Sequence, residues 1–246
     1  MQVFPRDFQL PFIRKERVAK DAWKFYFDRS GIADLDFLPG QFIKMILDIE
    51  NPDERGFSRT FSITSSPLDK EYLTITTHII QSAFKKALYN VTPGTDVKFF
   101  GPSGRFVLHD EDTFPHIFLA GGIGITPFHS MITYSAQKNL LIPITLFASF
   151  AKDEDMLFYD ELMTISSNNP NSKIIYTLTK LGKLQGAWSG ETGRIRPELV
   201  RKYCPDFQNA HFFITGSPHM VDAMLAMVKE MDISDEQVKK ERFVGY

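Results

Sequence analysis

Between Arg17 and Phe100, apolar and polar residues change places over runs too short for helices. Arg17–Phe27, Gln41–Ile49, Thr60–Thr64, Tyr72–Ile80 and Asp96–Phe100 carry the β-branched and aromatic residues of strands. Ser30-Gly31, Pro39-Gly40, Asn51-Pro52 and Pro93-Gly94 separate them, as turns and loops would. The pattern predicts an antiparallel sheet or barrel, interrupted by one helix from about Ser82 to Tyr89. After Pro115 the rhythm changes. Strand-like Ile117–Ala120, Ile144–Phe150, Lys173–Thr179 and Phe212–Thr215 alternate with helix-like Pro127–Gln137, Asp155–Ser166, Pro197–Tyr203 and Met220–Met231. Such alternation predicts a parallel α/β sheet. The change falls in the polar, proline-ended link from His109 to Pro115. The expectation is therefore two domains, an antiparallel β-barrel over 1–110 and an α/β parallel-sheet domain over 111–246.

A chain of 246 residues, 43% hydrophobic and 24% charged, suits one or two ordinary globular domains. A formal net charge of −2, with no arginine-rich run, offers no electrostatic footprint for nucleic acid. Met1 to Lys15 mixes aromatics with Arg6, Asp7, Arg14 and Lys15, so it lacks a signal peptide's apolar core, and no apolar run reaches membrane-spanning length. The cytoplasm is the expected location. Cys204 is the only cysteine, which excludes an internal disulfide and a four-cysteine iron–sulfur cluster within this chain. The six histidines show no H-x-x-H or H-E-x-x-H spacing, so no metal site is expected. No G-x-S-x-G elbow occurs, and hydrolase chemistry has no support.

Candidate chemistry concentrates in Leu119-Ala-Gly-Gly-Ile-Gly-Ile-Thr-Pro-Phe128, where an apolar run becomes a glycine cluster and then a proline. It reads as a strand, a tight turn and a helix N-terminus able to receive a phosphate. The spacing departs from G-x-G-x-x-G, and glycine clusters also close ordinary βα units; alone, the stretch leaves both readings open. Two further signals precede it, Arg59-Thr-Phe-Ser62 and Gly101-Pro-Ser-Gly-Arg-Phe106. In this order the three resemble the ferredoxin–NADP reductase-like family of flavoprotein reductases, with its R-x-[YF]-S, G-P-x-G-x-F and G-G-x-G-x-[TS]-P motifs. Pro39-Gly40-Gln41-Phe42, Ser82-Ala-Phe-Lys85, Gly193-Arg194-Ile195 and the ending Glu241-Arg-Phe-Val-Gly-Tyr246 extend the resemblance over nearly the whole chain.

The resemblance implies FAD on the barrel and NAD(P)H on the α/β domain. Arg59 would offer a charged donor fork to a flavin phosphate, and Ser82 a hydroxyl and a helix N-terminus. Each alone also reads as an exposed strand arginine or a simple helix cap. Thr60, His78, Ile80 and Ala83 fall in the same flavin-binding segments. Phe61 stands where the pattern usually has tyrosine, which keeps ring stacking but loses one hydroxyl contact, ~1 kcal/mol. The resemblance assigns three candidate catalytic residues. Ser62 matches the serine near flavin N5, Thr126 the residue facing the nicotinamide, and Glu241 a polar contact beside it. Gly121, Gly122, Gly124, Pro127, Thr215 and Gly216 would meet the dinucleotide, with Thr215 replacing a common cysteine. Phe243 or Tyr246 would cover the flavin face.

The implied activity passes a hydride from NADH to FAD and then electrons to a separate acceptor, such as a ferredoxin or another iron–sulfur protein. Asp153, Glu154 and Asp155, placed by the resemblance beside the adenosine ribose, would repel a 2′-phosphate, although Lys152 partly offsets them; NADH is expected ahead of NADPH. The alternatives are a reductase releasing diffusible reduced flavin and a low-activity FAD-binding subunit of an electron-transfer complex. The methionines of Met220–Met231 read as core packing rather than a docking face.

Overall fold

The computed structural model describes residues 4–32, 34–80, 82–181 and 187–244. Its first strand, β1 (Arg6–Ala19), buries Phe8, Leu10 and Phe12 on one face while the intervening residues point outward, the two-residue period of a half-buried strand. It turns at Lys20-Asp21 into β2 (Ala22–Asp28), with Ala19 opposite Ala22. The run Arg17–Phe27 is thus the two arms of a hairpin rather than one strand. β3 (Phe42–Ile46), β4 (Ser58–Ser62), β5 (Tyr72–His78) and β6 (Asp96–Ser103) complete an antiparallel sheet in the order β4-β3-β6-β1-β2-β5. The two outer strands meet through the antiparallel bridge Ile63–Ile75 and the Thr64 N–H bond to the Thr74 carbonyl, which closes the sheet on itself. Phe12, Phe25, Phe27 and Phe99 fill the interior, with Phe27 and Phe99 edge to face at 5.0 Å. Helix α1 (Ala83–Asn90) caps the barrel, its Phe84 and Leu88 buried.

The second half is a six-stranded parallel sheet: β7 (His116–Gly121), β8 (Ile144–Phe150), β9 (Ser172–Leu178), β10 (Glu191–Thr192), β11 (His211–Gly216) and β12 (Val238–Arg242), in the order β10-β9-β8-β7-β11-β12. α2 (Thr126–Lys138), α3 (Tyr159–Asn168), α4 (Pro197–Tyr203) and α5 (Pro218–Glu230) cover its faces, so central strand β7 is apolar almost throughout, as a strand buried on both sides must be. The expected barrel followed by an α/β sheet is what forms. α3 starts later than the expected Asp155, because Asp153–Asp155 makes a separate 3-10 turn and Phe158 adopts a left-handed φ of 58°. Among the described residues no helix is long and apolar enough to cross a membrane.

Helix α2 ties the halves together. His129 Nδ1 lies 2.8 Å from the Thr64 carbonyl and Ser130 Oγ donates to the Ser65 carbonyl at 2.7 Å, both acceptors following directly on β4. His129 Nε2 is 2.9 Å from Glu161 on α3. Burial pushes the Glu161 carboxyl up, but the neighbouring imidazole more than offsets that and holds it at about 2. The C-terminal end of β4 is therefore fixed against the start of α2.

Candidate functional site

That junction opens a cavity of about 160 Å³ with walls from both halves. The barrel contributes Phe42, Arg59, Thr60, Phe61 and Ser62 from β3 and β4, Thr76 and Thr77 from β5, and Lys85 from α1. The α/β half contributes Ile123 and Thr126 at the head of α2, and Glu241, Arg242, Phe243 and Val244 at the end of the chain. Strand alternation explains the β4 set only in part. Arg59, Phe61 and Ser62 are buried and Thr60 is exposed, because the strand reaches the closing edge of the barrel where both faces are covered.

Arg59 does not hang free. One guanidinium nitrogen donates to the carbonyls of Arg55, Gly56 and Ser58 and the other to the Asp53 carboxylate, whose carboxyl is held below its ordinary range by that bond. The fork thus folds the loop before β4 around itself and still lines the cavity. Phe61 packs 6.0 Å from Phe84. Ser82 caps α1, its Oγ accepting the Lys85 N–H at 3.2 Å, so this serine serves as a helix cap whatever else it binds. Ala83, half-buried, opens the same helix; His78 is half-buried at the end of β5, and Ile80 is exposed beyond it. None of these four lines the cavity.

On the other wall, Thr126 is buried and its hydroxyl donates to the Ile123 carbonyl at 3.0 Å, closing the 3-10 turn Gly122–Ile125 into α2, where Pro127 fits the first turn. Gly122 takes a left-handed φ of 53° with open space around it. Gly121 and Gly124 need their missing side chains for packing: a Cβ would meet Met220 at Gly121 and the backbone of Thr215 and Gly216 at Gly124. Thr215 and Gly216 lie in β11, buried and outside the cavity, and the Thr215 hydroxyl has no hydrogen-bond partner. Glu241 stands opposite Thr215 in the β11–β12 register. Its Oε2 is buried without a partner, and burial pushes the carboxyl up to about 7. Phe243 follows, anchored by its N–H to the Gly216 carbonyl at 2.9 Å. Tyr246 lies outside the described residues.

Seven of the residues expected from sequence therefore share one cavity: Arg59, Thr60, Phe61, Ser62, Thr126, Glu241 and Phe243. Sequence reasoning missed Lys85, although it lies in the quoted Ser82-Ala-Phe-Lys85. Its side chain is buried, its ammonium bonds Thr77 Oγ1 and the His78 carbonyl (3.0 Å), and it sits 5.4 Å from the Phe61 ring centre. Burial pushes it down to about 7, with Arg55 and Arg59 adding to the effect. A second cavity, about 180 Å³, opens where β8 and β9 end and α5 begins, lined by Ser149, Thr179, Arg194, Ile195, His219 and Met220 among others. That is the carboxyl edge of a parallel sheet, where α/β folds bind ligands.

Residues 9–108 match the oxidoreductase FAD-binding domain, and residues 118–225 the oxidoreductase NAD-binding domain. The chain belongs to the ferredoxin–NADP reductase-like flavoprotein reductases. It is 25% identical over 224 residues to ferredoxin–NADP reductase B of Sorangium cellulosum, covering 88% of this chain and 89% of that one. To the glycine betaine monooxygenase reductase subunit of Pseudomonas aeruginosa it is 28% identical over 187 residues, 75% of this chain, and it matches half of that relative's length. The solved ferredoxin NADP+ reductase of Neisseria gonorrhoeae, with bound FAD and NADP, shares the fold with a TM-score of 0.79 at 18% identity, over 96% of this chain and 98% of that one.

The first cavity fits the flavin of this family on its own chemistry. Phenylalanines at Phe42, Phe61 and Phe243 suit a flat aromatic ring, hydroxyls at Ser62, Thr76, Thr77 and Thr126 suit its polar edge, and Arg55, Arg59 and Lys85 suit a phosphate chain.

Proposed function

We propose that this chain is a cytoplasmic NADH-dependent flavoprotein reductase that passes electrons from NADH through FAD to a separate protein acceptor, a ferredoxin or another iron–sulfur protein. The division at the 109–115 link, 1–110 for flavin and 111–246 for nicotinamide, belongs to the same reading. The observation that carries it is the shared cavity, in which the Arg59–Ser62 strand and the Thr126, Glu241 and Phe243 group face one space from opposite halves. FAD, when bound, would supply the hydride acceptor and the capacity to pass electrons on singly.

The protein's own part is positioning. Hydride transfer needs donor and acceptor atoms at about 3–3.5 Å, and holding them there removes most of the entropic barrier. Arg59 would hold a flavin phosphate with a guanidinium already fixed by Asp53, Phe61 would offer its ring to the flavin, and Ser62 and Thr126 would position the flavin edge toward the nicotinamide. Glu241 holds a proton or a polar contact at the same place, and Phe243 shields the ring from water. His129, bonded to the Thr64 carbonyl, keeps these groups in register. The Gly121–Pro127 turn and the second cavity receive the dinucleotide, with Asp153, Glu154 and Asp155 disfavouring a 2′-phosphate.

A purified sample tests the reading. Yellow colour that bleaches on NADH addition, with reoxidation accelerated by an iron–sulfur protein and slowed by salt, supports it, since charged rims steer such small encounters. Turnover accelerated by free flavin alone, at every salt concentration, overturns the protein acceptor in favour of diffusible flavin. Colour without bleaching makes the chain a binding subunit.

A further inference from the structure

Lys85 is 5% exposed, and its ammonium bonds only neutral acceptors, Thr77 Oγ1 and the His78 carbonyl. Among the described residues it forms no ion pair, and the charged groups that act on it most, Arg55 and Arg59, are of like sign. Arg59 has Asp53 as its counter-charge. Lys85 has none among the described residues. Burying a cation without a counter-charge is strongly unfavourable, and such groups are found paired or poised to be paired. The side chain also lines the cavity, so the pairing anion has access to it from inside the site.

We propose that the Lys85 ammonium is the counter-charge of a flavin phosphate, so that this cavity selects phosphorylated flavins over riboflavin. The inference rests on the flavin reading above and adds to it a specificity-determining residue. An apolar residue at position 85 could pack beside Phe61 as the lysine stem does; the amine is what an anion would require. Without ligand, burial keeps Lys85 near neutrality at about 7. An arriving phosphate raises that value, so binding draws a proton onto the lysine.

Flavin-fluorescence titrations of the full chain with riboflavin, FMN and FAD test the assignment against Lys85→Met. A lost charge-assisted contact predicts affinity for FMN and FAD weakened roughly ten- to a hundredfold, with riboflavin within about twofold of wild type. Equal weakening of all three would place Lys85 under the ring rather than at the phosphate and overturn the proposal, as would no weakening at all. Should Lys85→Met misfold, calorimetry of wild type at pH 8 in buffers of different ionisation enthalpy still decides. The pyrophosphate of FAD carries no titrating proton there, so uptake approaching one proton per FAD is expected and none would overturn the proposal. Arg55, Arg59, His78 and Glu241 share or border the site; where the variant folds, subtracting its uptake removes their share. Inorganic pyrophosphate separates this inference from the reading beneath it. Lys85-dependent thermal stabilisation by pyrophosphate in a chain that binds no flavin would sink the flavin reading and keep the anion site; no response to either ligand would sink both.

Discussion

A Cβ on Gly124 would stand 2.6 Å from the carbonyl oxygen of Thr215, closer than carbon and oxygen can approach. The atom it meets is backbone in an inner strand of the sheet, held between β7 and β12, so it cannot swing aside. Gly124→Ala is expected to destabilise the fold by about 1–3 kcal/mol, the usual cost of overpacking. In a chain this size that lowers the thermal midpoint by several degrees, roughly 2–4 °C per kcal/mol. Gly122→Ala meets open space and incurs only its left-handed strain, roughly 1–2 kcal/mol. Differential scanning calorimetry compares them. An unchanged midpoint in Gly124→Ala would mean that β11 yields, leaving close approach of a dinucleotide as the reason for glycine there.

The two sheets were legible because their signals are local: turn dipeptides between short strands, then strands alternating with helices. The β1–β2 hairpin was not, since Lys20-Asp21 lacks the Asn-Gly or Gly chemistry that announces a two-residue turn. Nor was β12, whose Val-Lys-Lys-Glu-Arg reads as a solvated segment and becomes a strand only because the edge of β11 offers it backbone partners. The site divides in the same way. Arg59 to Ser62 are contiguous and could be found as a motif. Thr76, Thr77 and Lys85 reach the same cavity through closure of the barrel, which no linear spacing encodes.

Arg59→Ala is expected to weaken FAD binding roughly ten- to a hundredfold, the loss of a charge-assisted contact of about 1.5–3 kcal/mol, and more than Phe61→Tyr does. The structure adds a second effect. The loop of Asp53, Arg55 and Gly56 is organised around that guanidinium, so protease cleavage between residues 53 and 58 should quicken in the variant. Arg59→Lys should rescue little, because a single ammonium cannot replace a planar fork serving several acceptors. Flavin-fluorescence titration showing equal affinity in wild type and Arg59→Ala would remove Arg59 from the phosphate site.

Glu241 gives the ligand-free protein a pH signature. Its carboxyl is raised from an ordinary 4.5 to about 7 by burial, so the folded state binds that proton more tightly than the unfolded one. The stability it contributes is fully present below about pH 4.5 and is lost as pH rises through 7. Glu241→Gln should flatten the decline in thermal midpoint between pH 5 and 7 and leave the protein more stable than wild type at pH 8. Lys85 acts in another window: lowered from 10.5 to about 7, it makes stability rise between those values, so the two slopes are separable. Parallel profiles for wild type and Glu241→Gln over pH 5–7 would show that this carboxyl is hydrated rather than buried.

The choice between NADH and NADPH falls to the charges around the carboxyl ends of β8 and β9. The acidic run Asp153 to Asp155 follows β8, but Glu154 is drawn to Lys20 at 3.0 Å and to Lys152 at 3.5 Å, so part of its charge is already answered. Arg194 lines the second cavity beside His219, and its guanidinium would favour an extra phosphate there. Repulsion from Asp153, Asp155 and what remains of the Glu154 charge, against attraction from one exposed arginine, still ranks NADH first, and kcat/KM should be higher for NADH than for NADPH. Arg194→Ala should widen that ratio by lowering turnover with NADPH about tenfold while NADH changes little, as expected for one charge-assisted contact of roughly 1.5 kcal/mol. Asp155→Ala should narrow it. If NADPH proves the better substrate and Arg194→Ala abolishes that advantage, the acidic run has no part in recognition, and the second cavity is a 2′-phosphate site built on Arg194.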